Sequence, residues 1–208
     1  MHSYSLDTAI RTKVVVWSVL VSLGVVNLWP TLMKSLQAVS GLGEQHAYSL
    51  TFGTVFGLVY AAVEHWLWRA PGLRKVIGVP VLAGRWTAAG VSSFIGPDGK
   101  PFQFTMDVVI KQTFSRLEVY TKTGESTSRS VLAGVYVDHA VPIFRYAFEN
   151  APMSMANPEL QRHPGLVELH VHSADGMSGD YFSGKHRLRT GSLVMTRVQE
   201  SQKAKGEQ

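Results

Sequence analysis

Glu168, His170 and His172 stand two apart in the chain. On a β-strand that spacing puts all three on one face, where two imidazoles and a carboxylate can hold a transition metal. Their neighbours Val167, Leu169 and Val171 are apolar. The same alternation therefore describes a polar outer face backing a buried inner one. That second reading has the better support, and no metal site is assigned. Serine, histidine and aspartate all occur, yet no nucleophile elbow, zincin motif or glycine-rich phosphate loop arranges them for catalysis. The absence of cysteine removes thiolate nucleophiles, disulfides and cysteine-bound metals. The residues describe a binding protein rather than an enzyme, with no cofactor implied.

The richest stretch for binding is Gly179 to Leu193. Read as one strand that turns at Thr190-Gly191, it puts Tyr181, Ser183, Lys185, Arg187 and Arg189 on a single face. A row of cations inside a folded domain is costly without charged partners. An anionic ligand supplies them, because Arg forks onto phosphate and an aromatic ring stacks on a base. A solvated outer face would satisfy the same row. Arg145, alternating with the apolar Ile143 and Ala147, is a second isolated cation and a second candidate. The net charge of +5 suits an anionic ligand or anionic lipid heads.

Two apolar stretches precede this region. Val14 to Trp29 carries no charge, and Thr12 or the residues from Pro30 to Met33 complete a span of membrane length, with Asn27 placed to hold helices together. The second span, from about Ala47 to Trp68, is uncharged until Glu64. Gly53 and Gly57 there form a face on which two helices can approach closely, for packing against the first helix or for self-association. Trp66 and Trp68 sit where an interfacial aromatic belt belongs. Arg11 and Lys13 also give the first span the look of a signal peptide, but no small-x-small cleavage site follows. Basic residues flank the pair of helices rather than the loop between them, which predicts both termini in the cytoplasm.

Pro71 to Pro80 reads as a juxtamembrane linker. Beyond it come short alternating runs separated by turns. In the clearest, Phe102, Phe104, Met106, Val108 and Ile110 share one face. Eight such runs have to hide their edges, and closure into an up-and-down antiparallel barrel does so; a two-sheet sandwich is the competing arrangement. The predicted order is a two-helix anchor over 1–70, the linker over 71–80, the barrel over 81–200 and a disordered tail over 201–208. A barrel of this size holds one small ligand or none. A tethered carrier of apolar ligands, lined by Phe102, Phe104 and Met106, and a structural envelope protein with a packed interior are the other readings.

The two helices, the basic linker, the Gly84-x-Trp86 opening and the closing Tyr181-(x)5-Arg187-(x)3-Gly191-x-Leu193 pattern together resemble the membrane-anchored β-barrel effectors of CBASS anti-phage defence, which are associated with CD-NTase enzymes. The resemblance implies a bacterial inner-membrane protein whose cytoplasmic, lipocalin-like barrel binds a cyclic dinucleotide made by a partner CD-NTase. Binding then drives self-association, and the clustered helices disrupt the lipid bilayer in an abortive response to infection; no nucleic acid polymer is involved. Carried over by position, Tyr181, Arg187 and Gly191 match the closing pattern and Trp86 the opening one. The candidate ligand set is thus Arg187, Tyr181, Arg145, Arg189 and Trp86.

Overall fold

The computed structural model describes residues 1–6, 8–40, 51–137, 140–153, 161–184 and 188–199. The chain divides into two compact units, one formed by Met1–Asp7 with Gly78–Gln208 and the other by Thr8–Ile77.

The helical unit contains α1 (Thr8–Ser40), α2 (Phe52–His65), a 3-10 turn (Leu67–Arg69) and α3 (Pro71–Ile77). From Val15 to Val25 of α1 the outward side chains are apolar, with Trp17 64% exposed, while Ser18 and Ser22 are buried. Each buried serine donates to the carbonyl four residues back, Val14 and Ser18 respectively. Apolar residues outside and small hydroxylated ones inside is the arrangement of a helix whose solvent is lipid. Ala9–Ser35 is long and apolar enough to cross a membrane, and the helix runs on through Pro30 to Ser40.

The second span is a different matter. The 14 residues of α2 rise about 21 Å at 1.5 Å per residue, short of the roughly 30 Å apolar core of a bilayer. Among the described residues only one helix meets the requirement, and Ala47–Leu50 of the expected second span lie outside them. Trp68, expected beside Trp66 at an interface, is fully buried, whereas Trp66 is exposed. The expected linker contains α3, because Pro71 occupies the first helical position, where its missing N–H costs nothing. Gly78 then ends the helix with φ +73°, a left-handed conformation that suits glycine.

The other unit is a closed barrel. Strands β3 (Gly84–Ile95), β4 (Pro101–Gln112), β5 (Arg116–Lys122), β6 (Ser126–Tyr136), β7 (Ile143–Pro152), β8 (His163–Val171), β9 (Gly176–Ser183) and β10 (Arg189–Arg197) pair antiparallel in chain order, and β10 pairs with β3 to close the ring. Alternation decides which side chains face in. Val108, Ile110, Leu117, Val119, Phe144 and Leu169 are all buried, each such side chain contributing about 1.5–3 kcal/mol. A turn at Gly96–Gly99 joins β3 and β4, with Gly99 at φ +73°.

Two strands escaped the sequence reading. β1 (His2–Ser3) pairs antiparallel with β5, and β2 (Ser5–Leu6) pairs parallel with β6. β5 and β6 pair with each other only over Tyr120–Lys122 and Thr127–Arg129. Beyond that the N-terminal hexapeptide fills the seam, pairing with both strands. Ser130 Oγ accepts the Val119 N–H at 2.9 Å and meets His2 Nε2 at 2.8 Å. Tyr4 is buried and donates its hydroxyl to the Phe114 carbonyl at 2.9 Å. Glu118, on the same seam, pairs with Arg129 and the chain's α-amino group. Burial pushes its carboxyl up, but the Arg129 hydrogen bond and the two positive charges outweigh this and hold it below the usual carboxylate range.

Candidate functional site

The inward face of the barrel changes character along its axis. At the end where β3 begins and β10 finishes, Arg197 acts as a cork. Its guanidinium donates to the carbonyls of Ala83 (2.6 Å), Val81 (2.8 Å) and Ala174 (2.9 Å) and lies 4.3 Å from the centre of the Trp86 ring. Gln112 Oε1 accepts the N–H groups of Leu82 and Ala83. Every polar group named here has a partner within the barrel, so this end is built for closure.

The opposite end is lined differently. The inward alternation that buries Val108 and Ile110 on β4 continues to Phe104 and Phe102, and the one that buries Met177 on β9 continues to Tyr181 and Ser183. Phe102 is 50% exposed, and Phe104, Phe148 and Tyr181 are partly exposed although they face inward, so this half is not packed shut. Three of these rings lie across a glycine on the neighbouring strand: Phe104 over Gly90, Phe148 over Gly165 and Tyr181 over Gly191. A Cβ added to Gly90, Gly165 or Gly191 would stand 2.7, 2.6 and 2.6 Å, respectively, from a Cε1 of its ring. The glycines let the rings lie against the wall and leave the space in front of them clear. Phe104 and Tyr181 meet edge to face at 5.7 Å.

Polar groups share this end. Ser126, Ser128 and Asn150 are joined by hydrogen bonds; Thr121 and Ser183 are buried nearby along the same inward faces. Arg189, at the start of β10, stacks 4.0 Å from the centre of the Phe94 ring. Beneath them Tyr146 sits between Phe144 and Phe148, and burial pushes its phenol far above the ordinary tyrosine value. Aromatic planes, hydroxyls, an amide and a guanidinium in one half-open lumen are the chemistry of a ligand with flat bases and negative charge.

The predicted set is therefore brought together only in part. Tyr181 and Arg189 meet at the aromatic end, but not on one strand: β9 stops at Ser183, and Arg189 opens β10 opposite it. Gly191 is inside β10 rather than at a turn. Lys185 and Arg187 lie outside the described residues. Arg145 is on the outer wall, where its guanidinium meets Glu168 at 2.6 Å and faces the Tyr136 ring at 5.3 Å. Trp86 belongs to the corked end. Glu168 and His170 also face outward, and His172 Nε2 meets Ser178 Oγ at 2.8 Å. Among the described residues no three ligating side chains gather to hold a metal. The sequence reading missed Phe148, Asn150 and the serines of β6, although the alternation of Ser126, Ser128 and Ser130 was there to be found.

A CD-NTase-associated protein 15 from Yersinia aleksiciae is 28% identical over 183 residues, covering 82% of this chain and 85% of that protein. A crystal structure of a protein of unknown function from the DUF3598 family of Nostoc punctiforme aligns with a TM-score of 0.33 and 15% identity. It covers 56% of this chain and 47% of the other, a likeness too slight to argue from. The model of the family described as Cap15, cyclic dinucleotide receptor domain, matches residues 77–197. That match starts on the last residue of α3, stops on the last of β10 and takes in the whole aromatic lumen, which makes the chain a member of the Cap15 family.

Proposed function

We propose that this chain is a cyclic-dinucleotide-sensing effector of CBASS anti-phage defence. The ligand would enter the aromatic end of the barrel, its bases against Tyr181 and Phe104 and its phosphates towards Arg189, with Arg187, two residues before it in the sequence, as a second cation. The observation that carries this reading is the group of three glycine-backed rings facing hydroxyls, an amide and a guanidinium in a lumen that is corked at the other end. A carrier of apolar ligands has Phe102, Phe104 and Met106 on its side, since all three face inward; Asn150, Ser126 and Arg189 on the same lumen speak against it. Titration calorimetry of the full chain in lipid nanodiscs, with a panel of cyclic dinucleotides, separates the two. At least one member should bind with a Kd of about 1 μM or tighter, equivalent to about 8 kcal/mol. Silence across the panel together with co-purifying lipid would favour the carrier.

Downstream of binding, the reading places the barrel in the cytoplasm, a CD-NTase as the source of the ligand, and self-association of inner-membrane helices as the output. A ligand shifts such an equilibrium only by its differential affinity for the assembled state. Gly53 and Gly57 offer the contact face: both are exposed on α2, and a Cβ at either would meet nothing within 4 Å. Replacing both with leucine should therefore leave the folded chain and its ligand affinity intact while reducing ligand-dependent killing by tenfold or more in viable counts. Undiminished killing would exclude this face.

A further inference from the structure

We infer that Asn150 selects the ligand by accepting a hydrogen bond from an N–H donor on a base edge. The inference rests on the cyclic-dinucleotide reading and adds to it which part of the nucleotide is read, and where.

Asn150 is on β7, opposite Ser128 on β6 and His163 on β8. Its Nδ2 lies 3.0 Å from Ser126 Oγ and 3.1 Å from Ser128 Oγ. The amide nitrogen donates to both serine oxygens, and a primary amide has two protons to give. Both amide protons are thereby committed to the two serines.

The amide oxygen is turned the other way. Asn150 Oδ1 is buried and has no hydrogen-bond partner among the described residues. Asn150 as a whole is only partly buried and follows Tyr146 and Phe148 in the inward alternation of β7. A shielded acceptor without a donor is penalised until one arrives. An ionised phosphate is acceptor-only and would be repelled by this oxygen, whereas the amino and ring N–H groups of the bases match it. The phosphates are accordingly directed towards Arg189 and a base edge towards Asn150. Sites that leave a buried polar group unpaired when the wrong ligand binds discriminate strongly against it.

The test uses the full chain in nanodiscs with three probes, 3′,3′-cyclic di-AMP, 3′,3′-cyclic di-GMP and 3′,3′-cyclic UMP–AMP. Asn150→Leu, of similar volume, should weaken the tightest of the three by tenfold or more, at a temperature where the variant is still fully folded despite losing its two serine hydrogen bonds. Unchanged affinity, or a loss of affinity that only follows a fall in melting temperature, would overturn the role. A second measurement needs no variant: the wild-type chain should bind the matching analogue with its base N–H donors methylated at least tenfold more weakly, and equal binding would also overturn it. If the wild-type chain binds none of the three parent probes, the receptor reading itself fails, an outcome distinct from a selective failure at Asn150.

Discussion

The Trp86→Ala variant is expected to lose about 3–5 kcal/mol of barrel stability, the range for removing a fully buried large aromatic side chain. Trp86 is 1% exposed. Its indole N–H donates to the Leu82 carbonyl at 2.9 Å, and its ring carries the Arg197 guanidinium 4.3 Å above it, a contact worth roughly 0.5–2 kcal/mol. With the ring gone, Arg197 loses the plane that holds it over Ala83 and Val81. Trp86→Phe should recover most of the loss, because a ring again fills the site and only the indole hydrogen bond is missing. Intrinsic fluorescence during thermal unfolding reads both variants. Whatever fraction remains folded should bind ligand normally, since the site is at the other end; native stability with lost binding would instead make Trp86 a ligand residue.

Tyr181→Ala and Arg189→Ala should act the other way round, on affinity with little effect on folding. Loss of a stacked base costs about 1–3 kcal/mol, which is roughly ten- to hundredfold in Kd. Loss of a charge-assisted bond to phosphate costs about 1.5–3 kcal/mol. The two are separable by salt: Arg189→Ala should flatten the ionic-strength dependence of binding, while Tyr181→Ala should leave it steep. Tyr181→Phe should bind nearly as wild type, because the ring rather than the hydroxyl does the stacking. A Tyr181→Ala variant with unaltered Kd would move the bases elsewhere in the lumen.

Much of this architecture was legible in the residues. The Phe102–Ile110 alternation fixes β4 and its inward face, and eight strands with no protected edge point to closure. The last hairpin was misread because Gly191 has two explanations that look alike in sequence. A glycine there suits a turn, but Gly191 lies inside β10, where its missing side chain makes room for Tyr181 of β9. Arg145 misled for a different reason: the partner that holds it on the outer wall, Glu168, is on the neighbouring strand, and only the register brings them together. β1 and β2 were invisible because two-residue strands have no periodicity and their partners are more than a hundred residues away. The lumen residues Ser126, Ser128 and Asn150 are ordinary polar side chains, and only the β6–β7 register brings them together.

The filled seam has one more consequence. Because the chain leaves the barrel wall at Leu6, forms α1, α2 and α3 and resumes the barrel unit at residue 78, the helical unit is an insertion within the barrel's own sequence, tethered to it by two covalent connections rather than hung from one. A fragment beginning at residue 78 is thus a stave short, with β5 and β6 left gaping beside Ser130. Supplying the first six residues, joined by a short loop or added as a peptide, would return the missing stave.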